Sequence, residues 1–363
     1  MLRQQHFNSQ IKQPRCRKMG LELRHFNSFT NDIIVVDGFW GGGKSVITSL
    51  IGSLTGVEKK KVEHVYEYVC IAHAAGKMDL DAATAFLKIY ADLSQYNNLI
   101  GREVNLRWAD DSGLRNNPGS LTYFWRLFHP GGDSVADQIS EKNLALLIAS
   151  HELIGVSDLL YKSYGSRLKL IEVVRHPVHL FNNVRDYISN YERSREFTLS
   201  FEVSGVKVPW FAEDWADDFV RASITDRALF SIAKMQSQML KAIDKIESSR
   251  QPLLVLSFEN SVINTQDAIQ KLETFLGRSR TRRTNRVLKQ QFLPRTQISA
   301  GKQTSSFSFT SSAASTETEI YQNIINEIVK NGSVGAISEF RSAIASYNSR
   351  WPSALNQLEN LWD

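Results

Sequence analysis

Four short apolar runs stand out along the chain, and each has the length and composition of a strand buried on both faces. They cover residues 32–37, 144–149, 168–174 and 252–257. Between the runs, apolar residues recur every three or four positions, which predicts helices. The predicted helices run from Lys44 to a stop at Gly56, and over roughly 58–75, 79–95 and 226–246. Because strands alternate with helices, we expect an α/β fold with a doubly wound, mostly parallel sheet flanked by helices.

The two ends of the chain differ from this alternating region. The first residues are rich in Lys and Arg and contain no acid, so we expect a disordered leader. An organellar targeting segment and a start at Met19 are alternative interpretations. A capping box at Thr316–Glu319 and a helical pattern over 334–349 predict a C-terminal helical extension. The expected division is a leader at 1–30, an α/β domain at 31–303, a Ser/Thr-rich linker at 304–316 and helices at 317–363.

The composition is that of a globular protein. The chain has 363 residues, of which 42% are hydrophobic and 22% are charged, which excludes a disordered or fibrous class. It contains neither the apolar core of a secretory signal nor a run of about 18 apolar residues, so we expect no membrane span. Cys16 and Cys70 are too few for a disulfide framework, which fits a reducing compartment and predicts a cytoplasmic location.

The net charge of +5 suggests at first a nucleic-acid partner. Its distribution argues against that interpretation, because residues 1–18 and 278–302 contain basic charges only and the rest of the chain is therefore acidic. The bases of the late segment are Arg278, Arg280, Arg282, Arg283, Arg286, Lys289, Arg295 and Lys302. We therefore expect a local anion site near the late segment and no nucleic-acid partner.

A glycine-rich sequence lies between the first predicted strand and the first predicted helix. Residues 38–45, Gly-Phe-Trp-Gly-Gly-Gly-Lys-Ser, match the phosphate-loop pattern G-x-x-x-x-G-K-[ST]. Glycines let main-chain N–H groups turn toward a phosphate, and the helix N-terminus adds partial positive charge. The sequence therefore predicts a phosphorylated ligand here. Its predicted contacts are Gly41, Gly42, Gly43, Lys44 and Ser45.

Phosphate loops serve several chemistries, so the neighbouring strands must distinguish between them. A magnesium-dependent NTPase needs a carboxylate at the end of such a strand. Here the strands are followed by Ser150-His151-Glu152 and by Arg175-His176-Pro177, and the Asp that closes an apolar run is Asp37, in the phosphate-loop strand itself. This pattern counts against an ATPase and leaves a small-molecule kinase open.

The order of these elements over roughly residues 31–302 resembles the sulfotransferase family that uses 3′-phosphoadenosine 5′-phosphosulfate (PAPS). Its members have Arg-x-Pro after a later strand, matched by Arg175-His-Pro177, and many have a His some two dozen residues earlier, matched by His151. The segment from Leu254 through Glu259 to the Phe-Leu-Gly that ends at Gly277 is also similar to the family.

Three positions depart from the family pattern. The loop reads Gly43-Lys44-Ser45, where family loops commonly read Lys-x-Gly-Thr-[Ser/Thr]. Asn183 stands where the family has a Ser eight residues after the Arg, although an amide also donates to phosphate. Ala149 stands where cytosolic members have a Lys two residues before the His.

The resemblance implies PAPS as the donor, a hydroxyl acceptor and no metal. The glycines of the loop, Lys44 and Ser45 would hold the 5′-phosphosulfate. The 3′-phosphate would be held by Arg175, Asn183, Arg295 and Lys302. Lys44 and His151 are the candidate catalytic residues, with His151 as the base and Glu152 as its alternative.

The favoured function is transfer of a sulfuryl group from PAPS to a small molecule or a glycan. An ATP-dependent small-molecule kinase and a non-catalytic nucleotide-binding protein are the alternatives. Aromatic clusters at 123–129 and 210–215 are expected in the core, or else along an acceptor cleft. Cys70-x-x-His73 with His64 is too sparse a set for zinc, and Glu259 is expected to be structural.

Overall fold

Five parallel strands form the central sheet of this computed structural model, which describes residues 21–26, 29–108, 113–117, 119–191, 197–300, 316–353 and 362. The strands of the sheet are β1 (Ile33–Asp37), β2 (Val57–Val62), β3 (Ala145–Ala149), β4 (Leu168–Val174) and β7 (Leu253–Ser257). Between β4 and β7 the chain forms a separate hairpin of β5 (Ser200–Val203) and β6 (Val206–Pro209). Their order across the sheet is β2-β3-β1-β4-β7, so the phosphate-loop strand β1 is central.

Helices cover both faces of the sheet because its central strand is apolar on both sides. Ile33 and Val35 of β1 enter one hydrophobic core, and Ile34 and Val36 enter the other. The second core is closed by α1 (Lys44–Ile51), α10 (Phe258–Ile263), α11 (Thr265–Leu276) and α12 (Arg282–Gln290). The first contains α2 (His64–Ala74), α3 (Leu80–Leu99), α6 (Asp158–Tyr164), α7 (Pro177–Ser189), α8 (Ala216–Arg221) and α9 (Ile224–Ser248). The predicted doubly wound α/β fold is confirmed.

The region 57–62 corrects the helix predicted over 58–75. Residues 57–62 form the edge strand β2, and the helix α2 begins at His64. The charged residues of β2 concealed the strand, since Glu58 and Lys61 are buried in ion pairs instead of alternating with apolar residues. Glu58 pairs with Arg126 at 2.6 Å, and Lys61 pairs with Glu103.

Other element boundaries agree more closely with the predictions. α3 matches the helix predicted over roughly 79–95, with Asp79 as its N-cap, and α9 contains the helix predicted over 226–246. α1 ends at Ile51 with Gly52 as its C-cap, so the predicted stop at Gly56 is too late. Two further short α-helices are α4 (Ser120–Arg126) and α5 (Ser134–Glu141), and short 3₁₀-helices cover 114–116, 154–156, 165–167 and 210–215.

The C-terminal helices join the main body of the protein. α13 (Glu317–Asn331) starts with the predicted capping box, in which Thr316 and Glu319 bond each other's main-chain N–H groups. α14 (Val334–Arg350) packs on α9 and α7, and Phe340 and Tyr347 lie in the first core. Residues 1–20, Lys302 and most of the predicted linker lie outside the described residues. None of the helices in the described ranges is long and apolar enough to cross a bilayer.

Candidate functional site

The phosphate loop connects β1 to α1 in a conformation that requires glycine at two positions. Gly41 has φ +74° and Gly43 has φ +87°, both in the left-handed region. A Cβ on Gly41 would overlap the Asn183 side chain, and a Cβ on Gly43 would overlap the Phe258 ring. The bare main chain thus lies directly against α7 and α10. Ser45 is exposed in the first turn of α1.

Lys44 is buried among carboxyl groups beneath the loop. Its Nζ donates to the carbonyls of Gly38 at 2.7 Å and Phe39 at 2.6 Å. Asp37, Glu152 and Glu172 surround it, and Asp37 pairs in register with Glu172 across β1 and β4. Burial raises the pKa of Glu152 and of Glu172. Burial lowers the pKa of Lys44, while the charge of Asp37 opposes that shift.

The carboxylate of Asp37, which closes the apolar strand β1, already accepts hydrogen bonds from other groups of the protein. One oxygen accepts from Ser150 Oγ at 2.9 Å, and the other accepts from the N–H of Ile154 at 2.7 Å. Burial raises the pKa of this carboxyl. Its hydrogen bonds therefore fix the chain after β3 beside the loop.

Two arginines meet above one aromatic ring beside the loop. The guanidinium of Arg175, just after β4, lies 4.7 Å from the ring centroid of Phe258, and that of Arg295 lies 5.6 Å from it. Arg175 Nη1 also donates to the carbonyl of Gly41. The structure thus brings Arg175, Asn183 and Arg295 together at the loop, as the sequence predicts.

The charges of these arginines are not neutralised by hydrogen bonds to acids. Arg295 donates to the carbonyls of Ile298 and Gln291, and the Nε atoms of Arg175 and Arg295 are buried without a partner. Burial lowers the pKa of Arg295 to about 10, and the charge of Arg175 adds to the shift. Burial likewise lowers the pKa of Arg175. Two cations with unused donors beside the glycine-rich loop are groups that could hold an anion.

His151 follows β3 and is held by a carboxylate that the sequence did not reveal. Glu67 Oε1 accepts from the main-chain N–H of His151 at 2.9 Å and lies 3.1 Å from its Nδ1. Since a carboxylate only accepts, Nδ1 carries the hydrogen and Nε2 is left as the basic nitrogen. Although burial opposes it, hydrogen bonds from His151 and His64 hold the pKa of Glu67 at about 2. Burial, followed by the charge of Lys44, lowers the pKa of His151 and keeps it neutral.

Helical spacing was the available signal for Glu67. His64 and Glu67 lie three residues apart on one face of α2. The sequence did not indicate which strand end that face approaches. The C-x-x-H pattern nearby is not part of the group, since Cys70 is buried in the core and His73 Nδ1 lies 2.9 Å from the carbonyl of Met78.

Trp40, within the loop, connects the two candidate bases. Its ring stacks over His151 with centroids 6.3 Å apart and over Tyr187 at 4.2 Å. Its main-chain N–H donates to Glu152 Oε1 at 3.3 Å, while Glu152 Oε2 is buried without a partner. Both candidates therefore lie next to the loop.

A cavity of about 400 Å³ opens beside the start of the loop. The wall is mixed, and its charged lining residues are Glu152, Asp158, Glu172, Glu213, Asp214, Lys241 and Lys245. The aromatic and sulfur-containing lining residues are Phe39, Phe201, Trp210, Phe211, Met235 and Met239. Two members of the predicted aromatic cluster at 210–215 thus line it, whereas Trp215 is buried against Phe219.

Several other predicted residues have structural contacts. Glu259 accepts from Tyr347 Oη at 2.7 Å and from the main-chain N–H of His176 at 3.0 Å, as expected of a structural residue. Arg278 is buried, with its donors on carbonyls after α1 and before β3, and Arg280 pairs with Glu273 at 2.8 Å. Of the basic segment, Arg295 therefore lies beside the loop, as its contact with the Phe258 ring shows, whereas Arg278 and Arg280 have structural partners. Arg282, Arg283, Arg286 and Lys289 are exposed on α12.

No protein-family model matches the chain, and no curated protein matches it. Among solved structures, the sulfotransferase domain of the Synechococcus PCC 7002 olefin synthase is 12% identical with a TM-score of 0.40, over 92% of this chain and 100% of that one. The sulfotransferase domain from the curacin biosynthetic pathway is 12% identical with a TM-score of 0.40, over 88% and 98%. A sulfotransferase from Mycobacterium avium is 10% identical with a TM-score of 0.41, over 89% and 78%. At such identities and TM-scores, these likenesses do not assign a function to the chain.

Proposed function

We propose that this chain is a sulfotransferase that moves a sulfuryl group from PAPS to a hydroxyl group of a small molecule. The observation that carries the proposal is the pair Arg175 and Arg295, which face one ring beside the phosphate loop. A nucleoside triphosphate carries its three phosphates in one linear chain, so a single phosphate-binding loop can hold all of them. A donor with phosphates on both its 3′ and 5′ oxygens needs a second cation group at a distance from the first.

The residues present fit such a donor. The buried Nε atoms of both arginines still need acceptors. Because Gly41 and Gly43 have no side chains, their main chain lies directly against the side chains of Asn183 and Phe258. The donor set consists of guanidinium, amide and main-chain N–H groups, which suits phosphate oxygens. Lys302, the remaining residue expected at the 3′-phosphate, lies outside the described residues.

The loop residues would bind the 5′ end. The donor supplies a phosphosulfate group, and in the transfer the acceptor oxygen bonds to sulfur while the bridging S–O bond breaks and its electron pair stays on the 5′-phosphate. Lys44 would leave the carbonyls of Gly38 and Phe39 to face that developing charge. The N–H groups of Gly41 to Ser45 and the Ser45 hydroxyl would orient the same phosphate.

His151 would take the proton of the acceptor hydroxyl. Its Nε2 is the free basic nitrogen, and Glu67 fixes the ring and stabilises the imidazolium once the proton has moved. Glu152 remains the alternative base, since its raised pKa and unpartnered Oε2 at the cavity also suit proton transfer. A cavity of about 400 Å³ matches a compact acceptor better than a glycan chain.

A kinase is the second candidate because the loop ends in Gly43-Lys44-Ser45. Nucleotide titration of the purified chain separates the two, with 3′-phosphoadenosine 5′-phosphate against ATP with Mg²⁺ and thermal shift as the readout. The proposal expects stabilisation by the bisphosphate. Stabilisation by ATP with Mg²⁺ and none by the bisphosphate would contradict it.

Matched variants test the arginine pair. Arg295→Ala should weaken bisphosphate binding about 10- to 100-fold, the usual range for a charged hydrogen bond, and leave binding of 5′-AMP almost unchanged. Arg286→Ala is the control, because Arg286 is an exposed arginine of the same basic segment. Equal losses for 5′-AMP and the bisphosphate would remove Arg295 from the 3′-phosphate site.

A further inference from the structure

Beside the candidate base, three side chains converge in what we name the His–Glu–His cluster: His64, Glu67 and His151. His64 Nδ1 lies 3.0 Å from Glu67 Oε2, and His151 Nδ1 lies 3.1 Å from Glu67 Oε1. One nitrogen or oxygen of each residue lies within 4.8 Å of those of the other two. Among the described residues this is the group of His, Cys and acidic side chains compact enough to hold a metal ion.

The cluster is built on regular elements and is open to solvent on one side. His64 and Glu67 belong to the first turn of α2, and His151 follows β3 directly. The His64 side chain is 45% exposed and that of His151 is 23% exposed, while Glu67 is 10% exposed. An ion can therefore enter from solvent, and water can complete its coordination.

The spacing of the three groups suits a transition metal. Bonds of about 2.0–2.1 Å in a tetrahedron put neighbouring ligand atoms about 3.3 Å apart. The two imidazole–carboxylate separations in the cluster, 3.0 and 3.1 Å, are close to this value. Two imidazoles and one carboxylate with an open position form a donor set typical of Zn²⁺ and its neighbours in the first row.

We propose that His64, Glu67 and His151 form a binding site for a divalent transition metal, Zn²⁺ above all, that turns the enzyme off. The regulatory part rests on the proposed function. A metal on Nδ1 of His151 displaces the hydrogen that Glu67 accepts, so that the neutral ring carries its hydrogen on Nε2. Nε2 then has no lone pair for the acceptor proton, and the base is blocked without any change at the phosphate loop.

The metal site is tested first without any activity measurement. Co²⁺ is titrated into the full chain, and its visible absorption reports coordination by protein nitrogen. We expect saturable binding of one Co²⁺ per chain, reversed by Zn²⁺, with affinity lowered at least about 10-fold in His64→Ala. His73→Ala is the matched control, since His73 lies on the same helix outside the cluster, and it should bind as the unmodified chain does.

Two binding results would overturn the site. One is absence of the Co²⁺ bands, which would mean a purely hydrogen-bonded cluster. The other is equal Co²⁺ affinity in the unmodified chain and in His64→Ala, with circular dichroism showing that both are folded. Both results test the metal site alone, since neither depends on whether the chain transfers a sulfuryl group.

The regulatory part is tested by Zn²⁺ titration of sulfuryl transfer. Half-inhibition should occur near the Zn²⁺ dissociation constant and move to at least 10-fold higher concentration in His64→Ala. Binding of the bisphosphate should not change with Zn²⁺. Metal binding without inhibition would overturn the regulatory role and leave the metal site in place. Metal binding by a chain that has no transfer activity would overturn the proposed function instead.

Discussion

His176 should make the stability of this protein depend on pH. It is fully buried at the N-cap of α7, where its Nδ1 accepts from the N–H of Val178 at 3.4 Å. Burial, followed by the charge of Arg175, lowers the pKa of His176 to about 3. The neighbouring rings are His179, Tyr321 and Tyr347.

The size of the effect follows from that pKa. In the unfolded chain a histidine has its ordinary pKa of about 6.5, so the unfolded state takes up the proton first as the pH falls. The contribution is complete above about pH 6.5 and declines by about 1.4 kcal/mol per pH unit toward pH 3. Between pH 6.5 and pH 5.0 His176 should therefore lower the free energy of unfolding by about 2 kcal/mol.

Urea unfolding of the unmodified chain and of His176→Asn, at half-unit steps from pH 7.5 to pH 5.0, measures this quantity. Asparagine keeps a helix-capping group but does not titrate, so its smaller size adds an offset that is independent of pH. The difference between the two unfolding free energies should change by about 2 kcal/mol over the range. Parallel curves would refute the reasoning, because they would mean that buried His176 is protonated as easily as an exposed histidine.

Three further changes have definite expected outcomes. Glu67→Gln removes the charge that orients His151, so kcat should fall by about 10²-fold or more in a transfer assay while the dissociation constant of the bisphosphate stays the same. Arg126→Met leaves Glu58 charged and buried, so the free energy of unfolding should drop by about 3–5 kcal/mol in urea titration. Met239→Trp adds volume to the wall of the cavity, so the KM for the acceptor should rise at least 10-fold with donor affinity unchanged.

Each of these changes has a result that would contradict it. Unchanged kcat in Glu67→Gln would transfer the base role from His151 to Glu152. Lys271→Met is the control for the ion pair, because Lys271 and Asp267 are exposed and their loss should cost less than about 1 kcal/mol. Equal losses in the Arg126 and Lys271 variants would show that burial does not strengthen the first pair. A change in donor affinity for Met239→Trp would place the cavity on the nucleotide side.

The sequence sufficed to predict four of the five strands of the sheet and the loop between β1 and α1, because these depend on local patterns. Strands buried on both faces are continuous apolar runs, and β1, β3, β4 and β7 each appeared as one. β2 escaped because Glu58 and Lys61 are buried through partners far along the chain. The order of residues along β2 does not indicate which distant residues will be its ion-pair partners.

The site was predictable in part for the same reason. Arg175 and Lys44 stand at the ends of predicted strands or the starts of predicted helices, so topology alone assembles them. Glu67 and Phe258 act through contacts between elements distant in sequence. Arg278 belongs to the same basic segment as Arg295, and the sequence did not show that it holds main-chain carbonyls and Asp32 instead of lying at the loop.

The hydrogen bond from Tyr347 to Glu259 affects the order in which the protein can be completed during synthesis. Glu259 supports the main chain of His176, next to Arg175, and its partner Tyr347 belongs to α14, the last α-helix among the described residues. While the ribosome still encloses that helix, β1, β4 and β7 can pair, but Glu259 lacks one of its hydrogen-bond donors. The nascent chain should therefore acquire its sheet first and a fully ordered anion site only after residue 347 has emerged.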